Sequence, residues 1–350
     1  MSTLPEALFR QAQLRGDAVA LRAKRLGLWR EQRWGEVARE VGHLAAGLQA
    51  QGFVAAQGLV IISQARSEAL LLTLAVLWLG GRVTLLEPGA SVPQLPRQVF
   101  VDSLEQLPAL RRDGLVPTLL VYADGRGAAK GQGCVPIAYQ ALLADGPAPA
   151  INGTAHAQAF DFIDQHLSQQ VVLDSAAHWI ASEQLDHHHQ ALCARVLAAS
   201  GQVRYLLGAW LLAGFTLNFP ETLATRDQDR RELGPTLVAG TRESWGRLAA
   251  MAQERLPLPG SVAHGLYRWA VTPTQQPLRR WLGHWLIRRP LLDVLGLGRL
   301  QVPLLVGEPL AADTAQFFTG LGIHPRSAEP AKAGVGQVPT PAAYSIPSIA

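Results

Sequence analysis

The sequence predicts an α/β fold in which parallel sheets are covered by helices, and three observations carry that prediction. The first is a strand–helix–strand pattern. Leu59-Val60-Ile61-Ile62 is a short apolar run suited to a buried strand, Arg66 to Trp78 is helical in character, Gly80-Gly81 breaks it, and Val83 to Leu86 reads as a second strand before Pro88. Connections this short make a βαβ unit, whose strands lie parallel. The second is a repeat of the pattern: Val99 to Val101 and Thr118 to Tyr122 read as strands separated by a helical stretch from Ser103 to Arg112. The third is composition. With 350 residues, 48% hydrophobic and 17% charged, the chain has enough apolar side chain for a large core.

The remaining elements follow in order. From Trp34, apolar side chains fall at Val37, Val41, Leu44 and Leu48, a helical stripe that Gly52 is placed to end. The block from Ala123 to Gly153 is rich in Gly, Ala and Pro and reads as a loop region. Helical segments then dominate to about Leu300, with one strand expected at Phe215 to Phe219. The longest apolar runs, Ala69 to Gly80 and Leu206 to Leu217, read as buried helices, being well short of the ~20 residues a membrane span needs. Residues 1–324 are expected to form one folded unit of two α/β lobes. Residues 325–350, full of Pro, Ala, Gly and Ser, are expected to be a mobile tail. There is no internal repeat.

Charge and cysteines narrow the function classes. The net charge of +4, from 31 basic and 27 acidic residues, is spread along the chain and too weak to imply nucleic-acid binding. Cys134 and Cys193 have no metal-like spacing and form no disulfide framework, which points to a reducing cytoplasm. The N-terminus lacks an apolar signal core, so secretion is not expected. No hydrolase nucleophile motif, dinucleotide fingerprint or Walker loop is present.

Two clusters invite a closer look. Asp186-His187-His188-His189, with His178 and Glu183 nearby, suggests zinc. Consecutive histidines on a helix point about 100° apart and cannot all reach one ion, so a solvated polar face is the expectation, with no metal site. Arg268, Arg279, Arg280, Arg288 and Arg289 are interleaved with Trp269, Trp281 and Trp285. That pattern suits peripheral contact with a membrane surface, and it equally suits helices whose arginine stems pack on the rings.

An ordered set of short motifs carries a resemblance. Thr3-Leu4-Pro5-Glu6 is followed by Ala20-Leu21-Arg22-Ala23-Lys24, Gly27 and Trp29, then Trp34, Ala46-Gly47-Leu48 with Gly52, and Ser63 through Arg66-Ser67-Glu68. Downstream come Ala213-Gly214 through Phe219-Pro220-Glu221, then Arg231-Glu232-Leu233-Gly234-Pro235-Thr236, Trp245, Leu291 to Leu300, and Gly307-Glu308-Pro309-Leu310. In this order they resemble the bacterial long-chain acyl-CoA synthetases of the adenylate-forming (AMP-binding) superfamily, discontinuously over Thr3 to Ile323. The resemblance implies the large N-terminal region of such an enzyme, with the C-terminal lid domain absent.

The same resemblance implies a chemistry and shows it eroded. The family joins a carboxylate to the α-phosphate of ATP and passes the acyl group to CoA. It holds the phosphates on a loop of glycine amides and hydroxyls, of the form Y-T-S-G-T-T-G-x-P-K-G. Here the stretch reads Tyr122-Ala123-Asp124-Gly125-Arg126-Gly127-Ala128-Ala129-Lys130-Gly131. The hydroxyls are gone, Asp124 puts a carboxylate where a polyanion belongs, and Arg126 is the cation able to offset it. Gly307 and Glu329 stand where later motifs would leave a remnant. The resemblance thus implies ATP and Mg²⁺ as cofactors if the ligase reaction is retained, and none otherwise. It implies a protein that is catalytically impaired and binds a fatty acyl ligand or a protein partner. The alternatives are an active ligase whose lid is supplied by another chain, and a structural subunit.

Overall fold

The computed structural model describes residues 3–90, 97–108, 116–127, 134–143, 146–162, 165–195, 197–272, 274 and 276–327. The described chain begins with a reciprocal cap. Thr3 Oγ1 accepts from the Glu6 amide at 3.3 Å while Glu6 Oε2 accepts from the Thr3 amide at 2.7 Å, opening helix α1 (Leu4–Arg15). The opening Thr-Leu-Pro-Glu motif is therefore a helix start. A tight turn at Leu26 and Gly27, both at positive φ, then joins β1 (Val19–Arg25) to β2 (Leu28–Arg33).

The expected stripe forms α2 (Trp34–Ala50), with Gly52 at φ 78° just past its end. The expected βαβ unit is β3 (Leu59–Ile62), α3 (Ser67–Trp78) and β4 (Val83–Leu86), with β3 and β4 in parallel register. All twelve residues of α3 are buried, so its apolar run needs no amphipathic period. Parallel pairing continues through β5 (Gln98–Ser103), β6 (Leu119–Asp124) and β7 (Ile137–Ala138). The first described turn of the predicted 103–112 helix is a single short 3₁₀ turn, Leu104–Gln106, and residues 109–112 lie outside the described residues.

Past residue 153 the expectation of helices missed several strands. The chain adds β8 (Gln158–Asp161), β9 (His166–Ser168), α4 (Gln169–Glu183), β10 (Gln190–Leu192) and β11 (Thr216–Phe219). It continues with α5 (Arg226–Leu233), β12 (Leu237–Thr241), α6 (Arg242–Gln253), α7 (Val262–Val271), α8 (Pro277–Gly283), α9 (Arg289–Val294), β13 (Val302–Val306), α10 (Ala312–Leu321) and β14 (Arg326–Ser327). Strands of three to five residues carry too few side chains to show a period against helical neighbours. The second long apolar run is likewise not one helix. Its helical part ends at Ala213, Gly214 takes φ 76°, and Thr216 begins β11.

Two seven-stranded sheets result, in the orders β14-β13-β12-β10-β11-β1-β2 and β7-β6-β5-β3-β4-β8-β9. Among the described residues only the β1–β2 and β8–β9 pairs are antiparallel, so the parallel α/β expectation holds. One hydrophobic core joins Leu21, Leu217 and Leu237 of the first sheet to Leu59, Ile61 and Phe100 of the second. Trp34 stacks on Trp210 at 4.6 Å between ring centroids, and the Trp210 indole donates to the Ala20 carbonyl at 3.1 Å. This shared core fixes the carboxyl edges of the two sheets relative to each other.

Candidate functional site

Parallel strands open their carboxyl ends on one edge, where α/β folds place their ligands. Ser63 follows β3, Glu87 follows β4, and Asp102 and Asp124 end β5 and β6. Arg195, three residues past β10 in the other sheet, bridges to that edge. Its Nε and Nη2 reach the two Glu87 carboxylate oxygens at 2.8 and 2.9 Å. Between the edges lies a shallow cleft that encloses about 10 Å³, room for roughly one water, lined by Arg66, Leu70, Thr73, Leu85, Cys193 and Phe219 among others.

The rim of this cleft is built from the Ser63–Glu68 motif. Ser63 Oγ donates to Asp102 Oδ1 at 2.5 Å, and the Gln64 amide donates to Asp102 Oδ2 at 2.7 Å. Burial still raises the Asp102 pKa, with these bonds acting against it. Glu68, also buried, accepts from Arg66 at 3.2 Å and pairs with Arg25. Burial pushes its carboxyl up, but the two guanidinium groups win and hold it below the usual range. Burial of Cys193 raises its thiol pKa to about 12, and its Sγ donates to the Arg195 carbonyl at 3.2 Å. It is therefore a packing thiol and no nucleophile.

The β6 end carries the sequence-predicted loop. Tyr122 is half-buried against the small apolar cluster behind β5. Asp124 Oδ1 accepts from the Arg126 amide at 3.0 Å and Oδ2 from Arg126 Nε at 2.7 Å. The backbone bond comes first among the causes that hold the Asp124 carboxyl below its usual value. Gly125 is open toward Tyr122. Gly127 sits at φ 97°, where an added Cβ would lie 2.7 Å from the Glu105 amide nitrogen. That glycine is required by the close approach of backbone, whatever the loop binds. Lys130 and Gly131 lie outside the described residues, as does Glu329. Gly307 turns at φ 82° just past β13 in the other sheet, beside the Arg242–Glu308 pair at 3.1 Å. Tyr122, Gly125, Arg126 and Gly127 thus share one turn, and Gly307 belongs to a separate strand end.

The described part of this loop does not fit a polyphosphate. Its carboxylate faces the turn, no hydroxyl is present from 122 to 127 apart from the Tyr122 phenol, and Arg126 is drawn back onto Asp124. A phosphate arriving here meets an ion pair already made.

The downstream motifs serve the scaffold. Asn218 is fully buried and donates to the Ala191 carbonyl at 2.9 Å, tying β11 to β10. Glu221 accepts from the Gly27 amide at 3.1 Å and so holds the β1–β2 turn. Its own amide donates to Asp229, whose other oxygen receives Lys24 Nζ at 2.8 Å. Arg230 Nε donates to the Leu295 carbonyl at 2.6 Å, tying α5 to the end of α9. Trp245 is buried and donates to the Leu304 carbonyl at 3.2 Å. Sequence reasoning missed the Lys24–Asp229 and Arg195–Glu87 pairs. Each joins residues far apart in the chain, and no local spacing signals them.

The histidine cluster is placed differently from expectation. Gln184 takes a left-handed conformation that ends α4, so Asp186 to His189 form a turn past the helix. The turn brings ligand atoms of Asp186, His187 and His188 within 4.8 Å of one another, all exposed. Asp186 Oδ1 already accepts from the His188 amide at 2.9 Å, and Glu183 is paired with Arg326. Among the described residues, no helix is long and apolar enough to cross a membrane.

No sequence model of a known family matches the chain, and no curated protein sequence matches it. The fold does match solved structures. The A domain of carboxylic acid reductase from Segniliparus rugosus, in complex with AMP and a co-purified carboxylic acid, superposes with a TM-score of 0.70 at 15% identity, over 93% of this chain and 59% of that one. The luciferase-like enzyme of the nonluminescent mealworm Zophobas morio gives 0.63 at 16% identity, over 93% and 71%. The fatty acid AMP ligase of Legionella pneumophila gives 0.60 at 11% identity, over 91% and 52%. The chain thus spans between about half and seven-tenths of these proteins, and its fold is that of the large N-terminal region of adenylate-forming enzymes.

Proposed function

From that fold, we propose that the protein is an adenylate-forming-type scaffold that retains an acyl-ligand site and does not carry the ligase reaction through. The Asp124–Arg126 pair is the observation that supports this most directly. Adenylation requires cationic and amide donors free to meet charge developing on phosphate oxygens. Here the turn spends Arg126 on its own carboxylate. Two unit charges ~4 Å apart interact by a few kcal/mol at an effective dielectric near 20, so a γ- or α-phosphate beside Asp124 is opposed by an amount comparable to what Arg126 would return.

The cleft between the sheets supplies the acyl half of the reading. Leu70, Leu85 and Phe219 give it apolar walls, and Arg66, paired with Glu68 at 3.2 Å, is the cation among its lining residues. The space it encloses, about 10 Å³, is far below the roughly 300–1,000 Å³ of pockets that enclose drug-sized ligands. An acyl chain therefore enters only by opening the cleft.

The test combines ATP–pyrophosphate exchange over a panel of fatty acids with calorimetric titration of ATP and of each acid. The expected result is saturable acid binding without exchange above background. Exchange that disappears in Lys130→Ala would sink the impaired reading and favour an active ligase. No binding of either ligand would leave the structural-subunit alternative standing.

A further inference from the structure

Between Glu254 and Asp293 the chain carries six arginines (Arg255, Arg268, Arg279, Arg280, Arg288 and Arg289) and no acidic residue. The segment folds as α7, α8, a π-helical turn at His284–Arg288 and α9. It is poorly covered by the rest of the protein. Among described residues 255–294, the buried ones are Ala270 and Gly283, and these two meet: a Cβ on Gly283 would lie 3.2 Å from Ala270 Cα. Arg288 locks this crossing by donating from Nε and Nη2 to the Ala270 carbonyl at 3.0 and 2.7 Å.

What the segment exposes is as telling as its charge. Of the sixteen large hydrophobic side chains exposed among the described residues, eight lie between Leu258 and Val294. They are concentrated in one segment, where exposed residues scattered singly over the surface would need no explanation. Val262 is 94% exposed, Leu278 68%, Trp281 58% and Trp285 48%. The arginines are interleaved with them. Arg289 lies over the Trp285 ring at 4.3 Å and Arg279 over Trp269 at 5.4 Å. Stem packing on rings therefore occurs here, yet it leaves Trp281 and Trp285 half in solvent.

We propose that this segment is a docking surface for an anionic lipid bilayer. Indole and leucine side chains enter the boundary between headgroups and acyl chains, while guanidinium groups beside them meet lipid phosphates. The uniform positive charge complements an anionic leaflet, and the aliphatic exposures have no use against a nucleic-acid backbone. The proposal does not rest on the acyl-binding reading, because it uses no residue of the cleft.

Vesicle flotation of the full chain tests it, with phosphatidylcholine alone against phosphatidylcholine containing about a third phosphatidylglycerol. At ~0.1 M salt we expect at least tenfold more protein on the anionic vesicles, falling several-fold at ~0.5 M as screening shortens. Arg268→Gln with Arg280→Gln is expected to cost roughly fivefold per arginine. Trp281→Ser with Trp285→Ser is expected to abolish the blue shift of tryptophan emission on the vesicles. Leu26→Ser with Leu28→Ser, exposed on the distant β1–β2 hairpin, is expected to bind like the wild type, and thermal melts check that all variants fold. The proposal is overturned by absence of flotation, by equal binding to neutral and anionic vesicles, or by segment variants that float as well as the parent. Capture of a protein partner by this face without flotation overturns it as well.

Discussion

The β6 turn and the β11–α5 region both carry motif residues of the same resemblance, and they are held in opposite ways. Around α5 the charged side chains are buried and multiply bound: Asp229 receives Lys24, Thr225 and the Glu221 amide, and Arg230 reaches Asp227 and the Leu295 carbonyl. Removing one member there strands the others in low dielectric, which is costly. At the β6 turn Arg126 is largely in solvent, and its pair with Asp124 is local. Exchange of side chains there costs the fold little. The difference teaches that burial, more than the chemistry of a side chain, decides how much its exchange costs the fold.

The comparison breaks first at Asp229. Asp229→Ala leaves Lys24 with only the more exposed Glu232 and frees the Thr225 hydroxyl and Glu221 amide. We expect a loss of about 3 kcal/mol in urea unfolding, at the lower end for a buried pair because Glu232 remains. A loss below ~0.5 kcal/mol, the range of surface changes, would show that the network is no scaffold. The pair also has a pH signature. Burial acts to lower the Lys24 pKa, and bonds and charge from Asp229 and Glu232 outweigh it, so the net shift is upward from 10.5. A folded value above the unfolded one means that this stabilisation is complete below that pH and is lost as pH rises through the folded value. The wild type should therefore weaken at strongly alkaline pH more steeply than Asp229→Ala.

A smaller effect sharpens the other side. Asp124→Thr introduces a hydroxyl and frees Arg126, so calorimetry should find ATP binding strengthened by about fivefold, while unfolding stability changes by less than ~0.5 kcal/mol. Unchanged or weaker ATP binding would show that the carboxylate is not what spoils the turn. The smallest expected signal is chemical. Because Cys193 is buried with its pKa near 12, a thiol reagent at neutral pH should label Cys134 in the native protein and both cysteines after denaturation. Rapid native labelling at Cys193 would mean that the cleft opens readily.

The sequence by itself determined the βαβ unit at 59–86, the stripe of α2 and the absence of Ser and Thr from 122 to 127. Each is written in local periodicity, turn glycines or residue identity, which need no distant partner. The tertiary structure decided what local signals do not encode. Short strands such as β10 and β12 became strands because neighbours pair with them. The Leu206–Leu217 run was divided at Gly214, and the histidines were moved off the helix by the left-handed turn at Gln184. Arg126 was turned back onto Asp124, and Arg195 was carried across to Glu87. Long-range pairs form only once the core has brought two sheet edges together, so the geometry of the site depended on the fold while the residues of the β6 turn were legible from the start.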